Sequence, residues 1–530
     1  MEQTHSAFLA QYLQENFRES IPNQNLIQEL SEAMLDGNIA LKTDENLPNN
    51  NLFVKEDHGY IYSIRIFKTK NQIITQIKNL ITTSSNIIDQ ESLNLSSQLN
   101  DLQKKACLVA LQYNFSIITG GPGTGKTFTV SHILKNLLEH HSSLLPEEII
   151  MVAPTGKAQA RLKESLLNNG HHVFDSSQQD FVQKIASQTV TIHRLLGKYN
   201  SYVRYNEKHP IPYKVLIVDE SSMIDLVLFQ QLLNAVHPSY TKVILLGDQY
   251  QLPPVGLGAV FKDLCNSADL QNYRVELKES KRFHEESKIG QLAKAINEAN
   301  IKDVFEKIYN NDQQNISEDE TIWIVANDTD ESFSQLDDWE SLFKTEIITN
   351  ISEFNIQKNN FNALTRHAIL CATNQGKEGV ENINNEIHQE IISRKKESQL
   401  EQIPFVNSQM VLVTSNQNDI GIFNGDIGIV SEDEHLVKYV YFPNGKRIKP
   451  QVIQKHQLGY ALSIHKSQGS EYDHVLVLMS KANEKMLNRQ LLYTAITRAK
   501  KLVVIKTTKA ILKQTIIHND LRITNIKNQF

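Results

Sequence analysis

Between residues 98 and 300, short apolar runs alternate with stretches of helical periodicity. The runs are Phe115-Ser116-Ile117-Ile118-Thr119, Ile149-Ile150-Met151-Val152, Val215-Leu216-Ile217-Val218 and Val243-Ile244-Leu245-Leu246. Continuous runs rich in β-branched residues suit parallel strands covered on both faces. After the first run, Phe128, Val130, Ile133, Leu134, Leu137 and Leu138 recur at helical spacing and predict an amphipathic helix. Residues 301–360 are rich in Asn, Asp and Glu, and are read as a mixed helical connector. The same alternation then resumes: Ala368–Ala372, Val475–Leu478 and Leu502–Ile505 predict strands of a second sheet. Between them, over about 400–458, Gln409–Val413, Gly428–Val430 and Val437–Phe442 are β-like pieces. Asn424-Gly425-Asp426 and Pro443-Asn444-Gly445 separate them as turns, so a small β-barrel-like insertion is expected. Residues 1–97 read as a small accessory domain, with helical spacing at Phe8, Leu9, Tyr12 and Leu13 and at Leu26, Leu30 and Met34. Gly59–Ile66 alternates as a strand would, and Thr82–Asn86 reads as turn or linker. Residues 511–530 form a tail.

The loop after the first run carries the chemistry. Gly120-Gly121-Pro122-Gly123-Thr124-Gly125-Lys126-Thr127 is a complete G-x-x-x-x-G-K-[ST] sequence. Strand, glycine loop and helix together point backbone N–H groups at a phosphate. Lys126 can reach the β- and γ-phosphates, and the Thr127 hydroxyl can ligate Mg²⁺. Asp219-Glu220 ends a later apolar run. There Asp219 can hold Mg²⁺ and Glu220 can orient or deprotonate the attacking water. Gly247-Asp248-Gln249 ends the next run, and Gln249 is a long neutral side chain placed to sense the γ-phosphate. Read this far, the pattern predicts an α/β nucleoside triphosphate-binding protein.

Composition narrows the setting. No apolar run approaches the roughly 18 residues a membrane helix needs. Met1–His5 lack a basic and an apolar leader pattern, so a cytoplasmic protein is expected. Cys107, Cys265 and Cys371 are too few and too far apart for a disulfide framework or a zinc site. The formal net charge of −6 argues against coating nucleic acid by overall charge. It leaves room for local basic patches, for which Lys104-Lys105, Arg394-Lys395-Lys396, Lys446-Arg447-Lys449 and Arg498-Lys500-Lys501 are candidates.

From about residue 98 to 508 the motifs, taken in order, resemble those of superfamily 1 helicases, and within them the RecD-type α subunits of exodeoxyribonuclease V. Asn100–Gln103 resembles the glutamine motif, with Gln103 facing the adenine. Residues 120–127 resemble motif I, Ala153–Ala158 motif Ia, and Thr191–Gly197 the next DNA-contacting segment. Asp219–Met223 resembles motif II and Gly247–Gln249 motif III. Ser280–Phe283 resembles motif IV, with Lys281 where the family more often has an aromatic residue, and implies Arg282 as a γ-phosphate contact. Tyr460–Glu471 resembles motif V and Leu492–Ala499 motif VI. The resemblance makes Arg498 an arginine finger, with Gly469 and Glu471 near the nucleotide. It makes Thr155, His193, Arg194, His465 and Ser467 groups that grip single-stranded DNA.

The resemblance also implies an architecture. Two RecA-like P-loop domains are expected, with a small hairpin insertion at 198–213, an SH3-like insertion at 400–458 and an N-terminal accessory domain. The implied activity is ATP- and Mg²⁺-dependent 5′ to 3′ DNA unwinding at duplex ends, beside RecB-like and RecC-like subunits. The nuclease is expected in the RecB-like partner, and the N-terminal segment is expected to dock on the RecC-like one. A stand-alone RecD-like helicase, and an ATP-gated DNA-binding subunit that does not unwind, are the alternatives.

Overall fold

The computed structural model describes residues 24–44, 52–83, 95–140, 144–199, 202–279, 287–307, 321–327, 339–354, 361, 364, 366–394, 405–417 and 419–530. The helix read at Phe8–Leu13 and the segment Ser280–Phe283, Arg282 included, lie outside the described residues. The chain forms two compact units: Met1–Gln249 with Pro253–Ser280 and Leu521–Phe530, and Tyr250–Leu252 with Lys281–Asp520.

The first unit opens with helix Gln24–Leu35, which buries Leu26 and Leu30. Strands β1 (Leu41–Lys42), β2 (Phe53–Glu56) and β3 (Tyr60–Ser63) follow as an antiparallel sheet in the order β1-β3-β2. The alternation over Gly59–Ile66 is strand only as far as Ser63. There the Ser63 hydroxyl accepts the Ile66 N–H and starts the helix Ile64–Thr82. That helix buries Ile66, Ile73, Ile77 and Leu80 in one core with Phe115 and Leu216 of the parallel sheet and Phe229 of the helix Leu226–Asn234.

The parallel sheet holds β4 (Phe115–Gly120), β5 (Ile149–Ala153), β6 (Val190–Thr191), β7 (Val215–Val218), β8 (Lys242–Gly247) and β9 (Arg274–Leu277). Their order is β6-β5-β7-β8-β4-β9. Every pairing is parallel. The four predicted apolar runs are its central strands, and separate cores cover its two faces, as continuous apolar strands require. Within 198–213 there are two isolated antiparallel bridges, Tyr199 with Tyr202 and Asn206 with His209. Tyr199 and Tyr202 are exposed, and Tyr205 stacks on His209.

The second unit contains β10 (Thr321–Asn327), β11 (His367–Cys371), β12 (Met410–Val413), β13 (Ile427–Glu432), β14 (Lys438–Tyr441), β15 (Arg447–Ile448), β16 (His456–Leu458), β17 (Ala461–Ser463), β18 (Tyr472–Leu478) and β19 (Ala499–Thr508). One sheet runs β10-β19-β18-β11-β17. All its pairings are parallel except that of β10, which lies antiparallel on β19. The stretch read as a helical connector therefore supplies an edge strand, Thr321–Asn327, between helices. The other sheet, β15-β14-β13-β12-β16, is antiparallel throughout. It has a core of its own around Phe405, Val411, Val430 and Phe442. Among the described residues, no helix is long and apolar enough to cross a membrane.

Candidate active site

Strands β7, β8 and β4 are neighbours, with Val218 opposite Leu245 and Thr119 opposite Gly247. Their C-terminal ends bring three segments to one edge: the loop Gly120–Thr127, the pair Asp219-Glu220, and Asp248-Gln249. Ligands of open parallel sheets bind at that edge.

The helix after the loop spans Lys126–His140, so Gly121–Gly125 lead into its N-terminus. Gly125 has φ +79, and a Cβ there would stand 2.7 Å from Gln103 Nε2. Only glycine meets both conditions without strain. The Lys126 ammonium donates to the carbonyls of Gly120 at 2.7 Å and Gly121 at 3.1 Å. Thr124 braces the loop by donating its hydroxyl to the Gly121 carbonyl at 2.8 Å. Pro122 and Gly123 form the turn between them, and Thr127 lies half-buried in the first helical turn.

Glu220 adopts φ 50 and ψ 41, the left-handed region. For a residue with a side chain this costs on the order of 1 kcal/mol, and such strain gathers at functional sites. Its N–H is held by Asp219 Oδ1 at 2.9 Å. Withdrawal from water and the Glu220 charge raise the Asp219 carboxyl above the usual carboxylate range, while Lys126 and Arg161 oppose the shift. Two adjacent carboxylates in a poorly hydrated place favour a cation. Arg161 lies on helix Gly156–Val173 and is absent from the motif reading. No spacing rule points to it; the fold brings its charge to Asp219.

Gln249 is buried, and its N–H donates to Thr119 Oγ1 at 3.4 Å. Its Oε1 is buried with no hydrogen-bond partner among the described residues. A buried acceptor without a donor is costly, so this position suits a ligand or water that supplies one. Gln103 is placed differently from the adenine-facing expectation. It is 1% exposed, its Oε1 accepts the Asn100 N–H, and its Nε2 donates to the Thr124 carbonyl at 3.2 Å. In this structure the side chain caps a helix and braces the phosphate loop.

The remaining first-unit residues sit on helix ends. Thr155 caps helix Gly156–Val173, accepting the Ala158 N–H at 3.2 Å. His193 and Arg194 are exposed on the short helix Ile192–Leu195.

In the second unit, Arg498 is 2% exposed. Its Nε donates to the Thr494 carbonyl at 3.0 Å and its Nη1 to the Ser470 carbonyl at 3.4 Å. The guanidinium is thus held by the turns of its own unit. Gly469 has φ +70, and Glu471 pairs with Lys500 at 3.5 Å. His465 and Ser467 occupy a 3-10 turn after β17. Ser467 is fully buried and donates its hydroxyl to the Ile464 carbonyl at 2.7 Å. The segment is pinned by Asn384, whose Oδ1 accepts the N–H groups of Tyr460 at 2.9 Å and Ala461 at 2.8 Å. Asn384 belongs to none of the motifs read from the sequence. Two of the basic patches carry local ion pairs: Lys500 and Lys501 pair with Glu471 and Asp473, and Arg394 with Glu390.

A phosphate loop, an acidic strand end and a glutamine at adjacent tips of one parallel sheet, with a second parallel sheet downstream, define a P-loop nucleoside triphosphatase of the two-unit α/β type. The AAA domain family matches residues 103–257, and the UvrD-like helicase C-terminal domain family matches residues 458–505. The RecBCD enzyme subunit RecD of Haemophilus influenzae is 31% identical over 86% of this chain and 79% of its own length. The chain belongs to the RecD family of superfamily 1 helicases. It also matches the ATP-dependent RecD2 DNA helicase of Deinococcus radiodurans, at 27% identity over 83% of this chain and 54% of that one. A crystal structure of Pif1 helicase from Bacteroides with ADP-AlF3 and single-stranded DNA aligns at 19% identity and a TM-score of 0.42, covering 81% of this chain and 95% of that one.

Proposed function

We propose that this chain is the ATP-driven 5′ to 3′ DNA translocase and helicase subunit of a RecBCD-type helicase–nuclease acting on duplex ends. The observation that carries the ATPase reading is the delivery of Lys126, Asp219-Glu220 and Gln249 to one edge by three adjacent strands. The loop amides and Lys126 bind the β- and γ-phosphates of ATP, with Lys126 exchanging its loop carbonyls for phosphate oxygens. Gly120, Gly121, Pro122, Gly123, Thr124 and Gly125 shape that cradle, and Gln103 holds it from behind.

The donors present suit Mg²⁺, a hard cation that takes oxygen ligands and often one carboxylate beside substrate phosphates. The Thr127 hydroxyl and the Asp219 carboxylate would hold it, and it would supply charge neutralisation on the phosphates. Glu220 takes the proton of the attacking water onto its carboxylate, and Gln249 Oε1 accepts that water's second hydrogen. Arg282 and Arg498 contribute positive charge as the phosphoryl group transfers; comparable arginine fingers are worth on the order of 10³-fold in rate.

ATP moves DNA if one conformation binds nucleotide better and grips the strand differently. Thr155, His193 and Arg194 on the first unit, and His465 with the Ser467 turn on the second, are the proposed grips. Gly469 and Glu471 link the second set to the nucleotide. Contacts to phosphates carry no sequence information, so unwinding is sequence-tolerant.

The test is DNA-stimulated ATP turnover by the full chain, with Lys126→Gln as the control. Equal turnover by the two proteins would refute the motor. Turnover without strand separation would favour an ATP-gated binding subunit instead. Co-purification with RecB-like and RecC-like chains separates the complex-bound reading from a stand-alone helicase.

A further inference from the structure

The last ten residues, Leu521–Phe530, return to the first unit. They meet the loop that continues from Gln249. Arg522 Nη1 donates to the carbonyls of both Gly256, at 2.5 Å, and Gly258, at 2.8 Å. The guanidinium lies against Gly37: a Cβ at that glycine, which has φ +84, would stand 2.5 Å from Arg522 Cζ. The same loop is held twice more. The Gly258 N–H donates to the Gly37 carbonyl at 2.8 Å, and the Leu257 carbonyl accepts the Leu226 N–H at 2.9 Å. Leu226 opens the helix that follows the Asp219-Glu220 segment.

The tail is itself anchored. The Ile39 N–H donates to the Ile523 carbonyl at 3.0 Å, and the Ile523 N–H to Asn38 Oδ1 at 2.7 Å. Further on, Asn525 Nδ2 donates to Glu56 Oε2 at 3.2 Å and the Tyr62 hydroxyl to the Thr524 carbonyl at 3.4 Å. Glu56 is held in turn by the fully buried Lys70, at 2.5 Å to each oxygen. Burial lowers the Lys70 pKa and the Glu56 partner opposes that shift, so the ammonium depends on this pair. Arg522 is therefore a guanidinium on a fixed base.

We propose that Arg522 is a positioning residue for the ATP-sensing loop, and that the tail Leu521–Phe530 is a strap whose task is to hold that residue. Gln249 sits at one end of the segment and the clamped Gly256–Gly258 at the other. Between them Tyr250–Leu252 belong to the second unit, with Leu252 N–H on Thr494 Oγ1 at 2.9 Å. Pro253-Pro254 follow, and their fixed φ angles make the link to the clamp stiff. A sensor at one end of a stiff segment keeps its position only if the far end does not give. Arg522 supplies that resistance with two charge-assisted hydrogen bonds to the Gly256 and Gly258 carbonyls. The inference rests on Gln249 acting as proposed above.

The experiment compares the wild-type full chain with Arg522→Ala and Arg522→Lys. DNA-stimulated ATP turnover, thermal melting and hydrogen exchange at the Gly258 amide are measured for each. Arg522→Ala, which removes both hydrogen bonds, should lower kcat at least roughly tenfold, the rate equivalent of one lost hydrogen bond to a charged group, with the KM for ATP unchanged. Gly258 exchange should accelerate, and Arg522→Lys should recover part of both effects. Unchanged kcat with faster Gly258 exchange would overturn the positioning role. So would an equal change in kcat and KM, or a lysine variant that melts like wild type yet recovers nothing. If the wild-type protein shows no turnover, the parent reading fails; Gly258 exchange still reports whether Arg522 clamps the loop.

Discussion

Asp263 offers the sharpest physical test of how the tail is held. It lies on helix Val260–Asn266, in the first unit. Burial raises its carboxyl from 3.8 to about 7, against a Thr524 hydrogen bond and the charges of Lys262 and Lys527. Its Oδ2 is buried without a hydrogen-bond partner among the described residues. A raised acid pKa means the folded state holds its proton more tightly than the unfolded chain does. Stability from this group is therefore lost as pH rises from about 4 to about 7, and is constant above. A displacement of that size is worth about 4 kcal/mol as a ceiling. Asp263→Asn keeps the shape and stays neutral in both states. Its melting temperature relative to wild type should carry a pH-independent offset near pH 4, climb between pH 4.5 and 7, and level off by pH 8. At on the order of 2 °C per kcal/mol, the climb should be roughly 5 °C. The assay is thermal unfolding of both proteins across that range in buffers of equal ionic strength. A difference that stays flat from pH 4.5 to 7, or falls, would refute a buried Asp263 titrating near neutrality.

Other outcomes follow from the site. Arg498→Ala should leave ATP binding within about twofold by nucleotide titration and lower turnover by about 10³-fold if it acts as a finger; parallel loss of binding would contradict that role. Gln103→Ala should raise the KM for ATP and for GTP together if the side chain braces the loop, and for ATP alone if it reads the base; nucleotide competition kinetics separate the two. On tailed duplexes a 5′ overhang should support unwinding and a 3′ overhang should not, and the reverse pattern would remove the polarity assignment.

The central strands were legible because a strand buried on both faces leaves an uninterrupted apolar run, as in Val215–Val218. The phosphate loop was legible because its glycines answer a local demand: Gly125 must turn the backbone at φ +79. Thr321–Asn327 was missed as a strand because its apolar residues lie in a polar neighbourhood. Its pairing partner β19 is nearly the whole second unit away in sequence. The extended reading of Gly59–Ile66 overran because Ser63 caps a helix there, and a serine within an alternating pattern does not announce which role it takes.

Local sequence thus determined the apolar strands, the anion-binding loop and the acidic strand end. Each depends on residues a few positions apart along one backbone. Tertiary structure alone decided which strands are neighbours, and so which tips share an edge. It also decided the Arg161 charge acting on Asp219, the burial of Gln103 against Thr124, and the return of Arg522 to Gly256. Those contacts join positions tens to hundreds of residues apart, and no short pattern encodes them. They exist because burying several apolar faces at once leaves the chain few ways to close.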